Sequence, residues 1–342
     1  MDGAVGEELV KLQFYVYSAY VERRMMYAVR IIAATNTYTP DKVWCHLWLP
    51  NGRTVTIEAS IQVIKDHENL EYTAAFVLCP LRYSGVSADE TVGAIVAVIA
   101  SKAPDEPTTN LLIVQDTAPK TNISGNLHVC VKPFYRYSRT EWTLEWLEMN
   151  RLLGVSHFYL YNDSISDRFG CLLKYYEDKG VVTLRQWQLP LKSDVDIKGN
   201  GMVAAYNDCL YRSMSKADWL LIIDADEIVL PRYEKTVPQL VRSLTDEFVT
   251  KKAVAFNFTN AYFYVFWEDD PEAPSPLMTS RKTQRLKTNE VDEKNDNTRN
   301  KYVFQPLEVV ELGRNNIWEK LHNSIAVEVS VKRAVVHHYR IF

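Results

Sequence analysis

Long apolar runs, C-x-x-C cysteine motifs and long basic stretches are all missing from this chain of 342 residues. No run reaches the roughly 18–20 uninterrupted apolar residues of a membrane-spanning helix. The acidic start, "MDGAVGEELV", lacks the basic and apolar regions of a signal peptide. Either the protein is cytosolic, or a membrane anchor lies upstream of this chain.

Other absences exclude further classes of protein. The net charge is −4 and Lys and Arg are not clustered, which argues against nucleic acid as the main partner. With 12 Gly and 14 Pro the chain is neither fibrous nor of low complexity. None of the five cysteines forms a C-x-x-C pair, so a structural zinc site is not expected.

The first third of the chain has the rhythm of β-structure. Residues 12 to about 117 contain short runs rich in Val, Ile, Tyr and Ala, and Asn51-Gly52 is typical of a hairpin turn. We predict a small β-sandwich domain over residues 1–118. Cys45 and Cys79 both lie in strand-like runs, and they are either one disulfide or two buried small side chains.

From residue 127 onward, strand-like and helix-like segments alternate. Ser138 and Glu141 have the spacing of a capping box, which predicts the start of a helix. Apolar residues spaced i, i+3, i+4 and i+7 predict an amphipathic helix over 202–215. This alternation predicts an α/β domain over residues 119–342, built on a mostly parallel, Rossmann-like sheet.

Three carboxylates follow a buried strand in "LLIIDADEIVLP", residues 220–231. Open α/β sheets bind ligands beyond the carboxyl ends of their strands. Asp224 and Asp226 are therefore candidate ligands of Mg²⁺ or Mn²⁺, which prefer oxygen donors. A solvated turn, or a cap for the helix predicted at 235–244, is the plainer explanation. The Asp-x-Asp pattern also occurs in haloacid-dehalogenase-like phosphatases, but the Thr or Val expected two residues later is Ile228 here.

Several stretches together resemble glycosyltransferase family 92, once called the DUF23 family. The matching stretches are "EWLEMNRLLGVSHFYLYNDS", "AAYNDCLYR", "DWLLIIDADEIVLP", "NKYVFQPLEVV" and "VVHHYR". The resemblance covers nearly the whole chain. It implies a GT-A catalytic domain that transfers galactose from UDP-galactose, with inversion, onto a glycan or glycoprotein acceptor. It also implies a type II membrane protein of the Golgi lumen whose anchor is absent from this chain, and it leaves a homodimer open. In an oxidising compartment, a Cys45–Cys79 disulfide is predicted.

The resemblance and the chemistry together suggest roles for particular residues. Asp224 and Asp226 would hold the metal and the diphosphate, and Glu227 would orient this group, help hold the acceptor, or cap the next helix. GT-A enzymes often bring a C-terminal His to the metal; of His337 and His338, which point to opposite faces of a strand, we favour His338 as the metal ligand.

Four further residues are candidates on position alone. Asn162 and Asp163 end a strand and would contact the uridine, and Lys301 would face the diphosphate. An inverting transfer needs a carboxylate base, and Asp269, in "YVFWEDDPEAP", is our candidate. Trp267 in the same stretch suits the apolar face of a sugar.

Two departures from the family pattern leave a second function open. Gly199–Met202 stand where the family usually has a Gln, and Arg314 and Asn315 stand where a His is common. The alternative is a glycan-binding protein on the same fold that has lost turnover.

Overall fold

The computed structural model describes residues 14–40, 42–100, 110–120, 125–285, 300–321 and 323–340. The chain divides into two compact units. The first comprises Met1–Gln115 and Asp194–Lys198, and the second comprises Asp116–Ser193 and Gly199–Phe342. Among the described residues, no helix has the length and apolarity needed to cross a membrane.

The described part of the first unit is a β-barrel. Its strands are β1 (Phe14–Glu22), β2 (Ala28–Asn36), β3 (Val43–Trp48), β4 (Thr54–Val63), β5 (Tyr72–Pro80), β6 (Ile95–Ile99) and β7 (Leu112–Gln115). They are hydrogen-bonded in the order β1-β2-β5-β4-β3-β6-β7 and the sheet closes on itself. The predicted sandwich is therefore wrong. The closure comes from a parallel pairing of β1 with β7, in which Ala19 lies opposite Val114.

Local signals in this unit were correctly interpreted. The turn between β3 and β4 contains Gly52, whose φ of +85° is the left-handed conformation that favours glycine. Cys45 on β3 and Cys79 on β5 form a disulfide with a Cα–Cα distance of 6.0 Å, and both residues are fully buried in the barrel. The disulfide is the alternative that the structure supports.

The second unit is built of strands and helices. Its strands are β8 (Leu127–Cys130), β9 (Val155–Asn162), β10 (Val182–Gln186), β11 (Trp219–Ile222), β12 (Glu227–Pro231), β13 (Ala253–Phe258), β14 (Asn260–Tyr264), β15 (Lys301–Phe304), β16 (Val309–Leu312), β17 (Ile317–Lys320), β18 (Ile325–Glu328) and β19 (Ala334–Arg340). Its helices are α1 (Thr140–Leu152), α2 (Asp167–Asp178), α3 (Met202–Ser213), α4 (Val237–Glu247) and α5 (Met278–Arg281).

A mixed sheet of seven strands organises this unit, in the order β10-β9-β8-β11-β15-β13-β18. The first four strands are parallel to one another, as predicted for a Rossmann-like sheet. Strand β15 runs antiparallel to both of its neighbours, β11 and β13. Strands β12, β19 and β14 form a separate, smaller sheet in that order. The carboxyl ends of β8 and β11 consequently lie side by side.

The predicted helices are present, but one predicted cap is not. Ser166 caps α2 by accepting a hydrogen bond from the Phe169 amide, and α3 covers most of the predicted span. Helix α1 begins at Thr140 without a side-chain cap, so the capping box predicted at Ser138 and Glu141 is wrong. The Ser138 carbonyl accepts from the Thr140 amide instead, and Ser138 lies in the loop before the helix.

A second disulfide, which was not predicted, joins α3 to the sheet. Cys130 ends β8 and Cys209 lies in the middle of α3, with a Cα–Cα distance of 6.3 Å. Both residues are fully buried. The bond fixes α3 directly behind the strands whose carboxyl ends carry the candidate site.

Candidate active site

An acidic turn links β11 to β12. The Glu227 amide donates to the Asp224 carbonyl at 3.1 Å, and the Glu227 carboxylate accepts from the Asp224 amide at 2.7 Å. Glu227 is fully buried. Its side chain therefore stabilises the turn, and does not cap the helix that follows.

Lys301 holds two of the three carboxylates. It begins β15, the antiparallel neighbour of β11, and its ammonium nitrogen lies 3.1 Å from both Asp224 Oδ2 and Glu227 Oε2. Only 8% of the Lys301 side chain is exposed. Burial would lower the pKa of Lys301, but the two carboxylates raise it well above its ordinary value, so the side chain is charged. The structure thus places Lys301 as a support for the acidic turn.

A second lysine, not predicted as part of the site, faces the same turn. Lys132 Nζ lies 3.3 Å from Asp224 Oδ1, and Asp224 raises the pKa of this lysine. Burial alone would raise the pKa of Asp224, but Lys132 and Lys301 together lower it below its ordinary value. Burial raises the pKa of Glu227, against the opposing effect of Lys301. Asp224 is therefore ionised, while burial makes Glu227 easier to protonate than an ordinary glutamate.

His338 completes the cluster from the opposite strand. In the antiparallel pairing of β12 and β19, Glu227 lies opposite His338. His338 Nε2 is 3.6 Å from Asp226 Oδ2, and Nδ1 is 3.1 Å from Glu227 Oε1. Burial would lower the pKa of His338, but Asp226 and Glu227 raise it. His337 points to the other face, where its ring lies 4.4 Å from that of Phe263 and burial lowers its pKa to about 4. The geometry thus sets His338, and not His337, beside the acidic turn.

A cavity of about 620 Å³ opens in front of this cluster. It is lined by the loop from β8 to α1, by the acidic turn and by the end of β19. The lining residues are Val131, Lys132, Pro133, Phe134, Tyr135, Arg136, Tyr137, Ser138, Arg139, Asp224, Ala225, Asp226, His338 and Arg340. Four cationic side chains thus face two acidic ones and a histidine across a single cavity.

The cationic side of the cavity was missed in the sequence. Lys132, Arg136 and Arg139 lie in "VKPFYRYSR", residues 131–139, directly after β8. Because β8 and β11 are parallel neighbours, the rule that singled out the acidic turn applies equally to this loop. The position of this loop directly after a strand was the signal in the sequence that could have identified its basic residues as part of the site.

Asn162 and Asp163 support this loop from behind. The Phe134 amide donates to the Tyr161 carbonyl at 2.8 Å, and the Asp163 amide donates to the Phe134 carbonyl at 3.1 Å. The Asp163 carboxylate accepts from Ser164 Oγ at 2.9 Å. Asn162 Oδ1 is buried without a hydrogen-bond partner among the described residues. Neither predicted uridine contact lines the cavity.

Asp269 is engaged elsewhere. Its carboxylate lies 2.5 Å from Arg281 Nη1 and 2.6 Å from Lys282 Nζ. The hydrogen bond from Lys282, followed by the Arg281 contacts, lowers the pKa of Asp269. Asp269 is not among the residues that line the cavity. The structure therefore does not bring the predicted base together with the acidic turn.

The positions that depart from the family pattern have local structural roles. Gly199, Asn200 and Gly201 have φ values of 52°, 56° and 73°, a left-handed run that leads into α3. Arg314 and Asn315 lie in the turn between β16 and β17.

Three polar atoms of the cluster are buried without a hydrogen bond among the described residues. They are Asp224 Oδ1, Glu227 Oε1 and His338 Nδ1, and each lies near a charged partner without the geometry of a hydrogen bond. Within the described ranges, no three His, Cys, Asp or Glu side chains converge as a complete metal site. The separation of 3.6 Å between Asp226 and His338 still allows one cation, at ligand distances of about 2.1 Å, to bind both.

Comparison with known proteins identifies relatives of this chain. Residues 125–341 match the sequence model of glycosyltransferase family 92. Glycosyltransferase family 92 protein F13G3.3 of Caenorhabditis elegans is 24% identical over 131 residues, 36% of this chain and 26% of that protein. Beta-1,4-galactosyltransferase galt-1 of the same organism is 27% identical over 122 residues, 34% of this chain and 28% of that protein. The chain spans only about a quarter of the length of these relatives.

Solved structures show a weaker, partial likeness. TarS 1-349 of S. aureus is 12% identical, with a TM-score of 0.31, over 53% of this chain and 47% of that one. Glucosyl-3-phosphoglycerate synthase from Mycobacterium tuberculosis, solved with Mn²⁺, uridine diphosphate and phosphoglyceric acid, is 13% identical. That match covers 63% of this chain and 71% of the other, with a TM-score of 0.33. Similarity at this level decides nothing about the present site.

Proposed function

The chain belongs to glycosyltransferase family 92, and we propose that it transfers a hexose, galactose from UDP-galactose, onto a glycan acceptor with inversion at the transferred carbon. The carrying observation is the cavity of about 620 Å³ at the carboxyl ends of two parallel strands, with four cations facing two carboxylates. Cavities of roughly 300–1,000 Å³ hold small molecules in proteins. A nucleotide sugar with its cation carries charges of both signs, and the cavity offers partners for both.

The acidic side of the cavity suits a divalent cation. Asp226 and His338 would hold Mn²⁺ or Mg²⁺ with one carboxylate and one imidazole. Such ions keep positions for phosphate oxygens and water, so two protein ligands suffice. When bound, the cation would offset the negative charge that develops on the leaving diphosphate.

The cationic side of the cavity would bind the diphosphate. Arg guanidinium groups match phosphate oxygens in pairs, and Arg136, Arg139 and Arg340 line the cavity. Lys132 pairs with Asp224 and lies at the boundary between the two sides. Lys301 and Glu227 lie behind the acidic turn and keep its shape. We therefore assign Lys301 to positioning the turn, in place of direct contact with the donor.

The donor sugar rests on the relative that is named a galactosyltransferase, which matches 34% of this chain. Two disulfides, Cys45–Cys79 and Cys130–Cys209, support an oxidising compartment, and we propose the Golgi lumen. The match to the family over residues 125–341 leaves no support for the phosphatase alternative.

Metal dependence provides the test. UDP release from UDP-galactose should require Mn²⁺ and disappear in EDTA. Asp226→Asn should lower kcat by at least about a hundredfold, since losing an anionic ligand removes several kcal/mol of leaving-group stabilisation. It should also abolish binding of Mn²⁺ in the presence of UDP, measured by electron paramagnetic resonance.

The matched control is Asp246→Asn, which changes an exposed carboxylate on α4. It should leave both readouts unchanged. Full activity in EDTA would contradict the metal-assisted reaction. Donor binding without any UDP release would favour the glycan-binding alternative.

A further inference from the structure

Three aromatic rings cluster where β14 ends. The ring of Tyr264 lies 5.3 Å from that of Phe266 and 5.0 Å from that of Trp267, and the last two are 6.3 Å apart. Phe266 is 58% exposed, and Tyr264 and Trp267 are half-buried. We call these three residues the aromatic platform. Large aromatic side chains that only fill a core are buried, so the exposure needs another explanation.

The pairing of strands places the platform beside the cavity. Strands β14 and β19 are parallel, with Tyr262 opposite His338 and Tyr264 opposite Arg340. The rings of Tyr262 and His338 are 5.4 Å apart, so both side chains are on one face of this sheet. Side chains two residues apart share a face, so Tyr264 and Arg340 also lie there. His338 and Arg340 line the cavity, so Tyr264, the ring on which Phe266 and Trp267 pack, lies beside a residue of the cavity lining.

Hydrogen bonds hold the platform in shape. The Trp267 amide donates to the Tyr264 carbonyl at 3.1 Å, and the ammonium group of Lys282 donates to the Trp267 carbonyl. Lys282 is buried and also pairs with Asp269. The amide of Asp270, the residue after Asp269, donates to the Arg281 carbonyl at 2.8 Å. The loop after the rings is thus tied to the segment at α5, which fixes the platform before any ligand arrives.

We propose that the aromatic platform is the acceptor subsite, where a pyranose ring of the acceptor glycan stacks its C–H face on the rings of Phe266 and Trp267. This proposal rests on the proposed function, because the donor cavity defines which ring would carry the reacting hydroxyl. The apolar faces of aromatic rings suit the C–H face of a sugar, while carboxylates accept its hydroxyl protons. Glu268, which directly follows Trp267, is exposed and supplies such a carboxylate.

A protein partner fits this surface less well than a sugar. The centres of protein interfaces are depleted of charged residues. Here three acidic residues, Glu268–Asp270, follow the rings directly. Mixed aromatic and carboxylate groups next to a small-molecule cavity instead match a ligand that is apolar on its faces and polar around its edge.

Saturation-transfer NMR on the full chain tests the subsite without any turnover. The probes are the methyl β-pyranosides of galactose, glucose, N-acetylglucosamine and mannose. We expect saturation on the ring C–H protons of at least one probe. It should fall in Trp267→Ala and in Phe266→Ala, and return in Trp267→Phe. Tyr233→Ala is the control and should bind normally, because it removes a 76% exposed ring that follows β12, at the end of the small sheet opposite to Tyr264.

Kinetics separate this subsite from the donor site. The acceptor KM should rise about three- to tenfold in both alanine variants, the change expected for losing one stacking contact. The donor KM and the rate of UDP release without acceptor should not change. Phe266→Ala removes a largely exposed ring and should fold normally, so its result stands even if Trp267→Ala is unstable.

The outcomes distinguish the two proposals. Donor hydrolysis with unaltered sugar binding in both alanine variants would overturn the subsite and leave the proposed function intact. Sugar binding that depends on the platform, in a protein that never releases UDP, would support the subsite and overturn the proposed function. If no probe shows saturation, or if the variants alter only self-association in sedimentation, the subsite is wrong.

Discussion

Lys301 offers the sharpest structural test of the acidic turn. Its ammonium group lies 3.1 Å from carboxylate oxygens of both Asp224 and Glu227, and 8% of its side chain is exposed. Lys301→Met keeps the length of the side chain and removes the charge. Glu227, which is fully buried, would then face Asp224 with no ammonium group between them.

The expected loss follows from this geometry. At an effective dielectric constant of about 20, each ion pair at this distance is worth about 5 kcal/mol before desolvation is subtracted. Removing one partner of a buried pair costs about 3–5 kcal/mol in unfolding free energy, because a buried charge is left without compensation. Two features of the site put the expected loss of unfolding free energy near the lower end of this range. Lys132 still pairs with Asp224, and Glu227, whose pKa burial already raises, can take up a proton.

Urea unfolding at neutral pH measures this loss, followed by tryptophan fluorescence and circular dichroism so that separate unfolding of the two units is detected. The double variant Lys301→Met/Glu227→Gln should recover about 1–2 kcal/mol, the coupling expected for side chains in direct contact. Lys174→Met, which breaks an exposed pair with Asp178, is the control and should show no measurable change. A loss below about 1 kcal/mol in Lys301→Met, or no recovery in the double variant, would show that Lys301 does not hold the turn.

Two further predictions concern other parts of the second unit. Burial, with smaller effects of His157 and Lys216, lowers the pKa of His128 to about 3, so the unfolded chain takes up a proton below about pH 6.5 while the folded one does not. The free energy of unfolding should therefore fall as the pH drops from 6.5 toward 3. Urea unfolding at several pH values should show that His128→Phe removes up to about 1.4 kcal/mol of this dependence per pH unit. An unchanged dependence of the unfolding free energy on pH, or a His128 resonance that titrates near 6.5 in NMR, would contradict this. The chain contains three N-glycosylation sequons, which begin at Asn122, Asn162 and Asn257. Asn122 lies outside the described residues, and we expect substantial glycan occupancy there because the surrounding sequence is polar. Asn257 Nδ2, the atom that would carry a glycan, donates to Glu328 at 2.6 Å within the sheet, and Asn162 ends a strand with its Oδ1 buried. Glycopeptide analysis after secretion from animal cells should therefore find little glycan at either residue. Heavy occupancy at Asn162 in active protein would contradict the buried position of its side chain.

The parts of the fold that were predictable follow from local periodicity. Apolar residues at helical spacing identified α3, and the run before Asp224 identified β11, since each pattern depends on residues close together in the sequence. The closed barrel was not predictable in this way. Its closure depends on β1 meeting β7, and alternating residues give the same local pattern in a sandwich and in a barrel. The Cys130–Cys209 disulfide is likewise a contact between distant residues.

Half of the candidate site was predictable, for a similar reason. The acidic turn stands out because carboxylates rarely follow an apolar strand so closely. Arg136 and Arg139 do not stand out, because isolated basic residues in a loop are ordinary. They became candidates only when β8 was found beside β11. Asp269 shows the opposite error, since an acidic cluster in the sequence proved to be an ion-paired loop.

The repulsion among the three carboxylates explains why the site needs its other residues. Asp224 is compensated by Lys132 and Lys301, and Glu227 by Lys301 and by the amide of Asp224. Asp226, at 3.6 Å from His338, has the least compensation and opens into the cavity. A cation bound between Asp226 and His338 would take the place of their direct contact and complete the balance, without displacing the lysine pairs of Asp224 and Glu227. Of the two carboxylates that line the cavity, Asp226 is therefore the one whose negative charge neighbouring side chains offset least, and it is where the metal of the proposed function would bind.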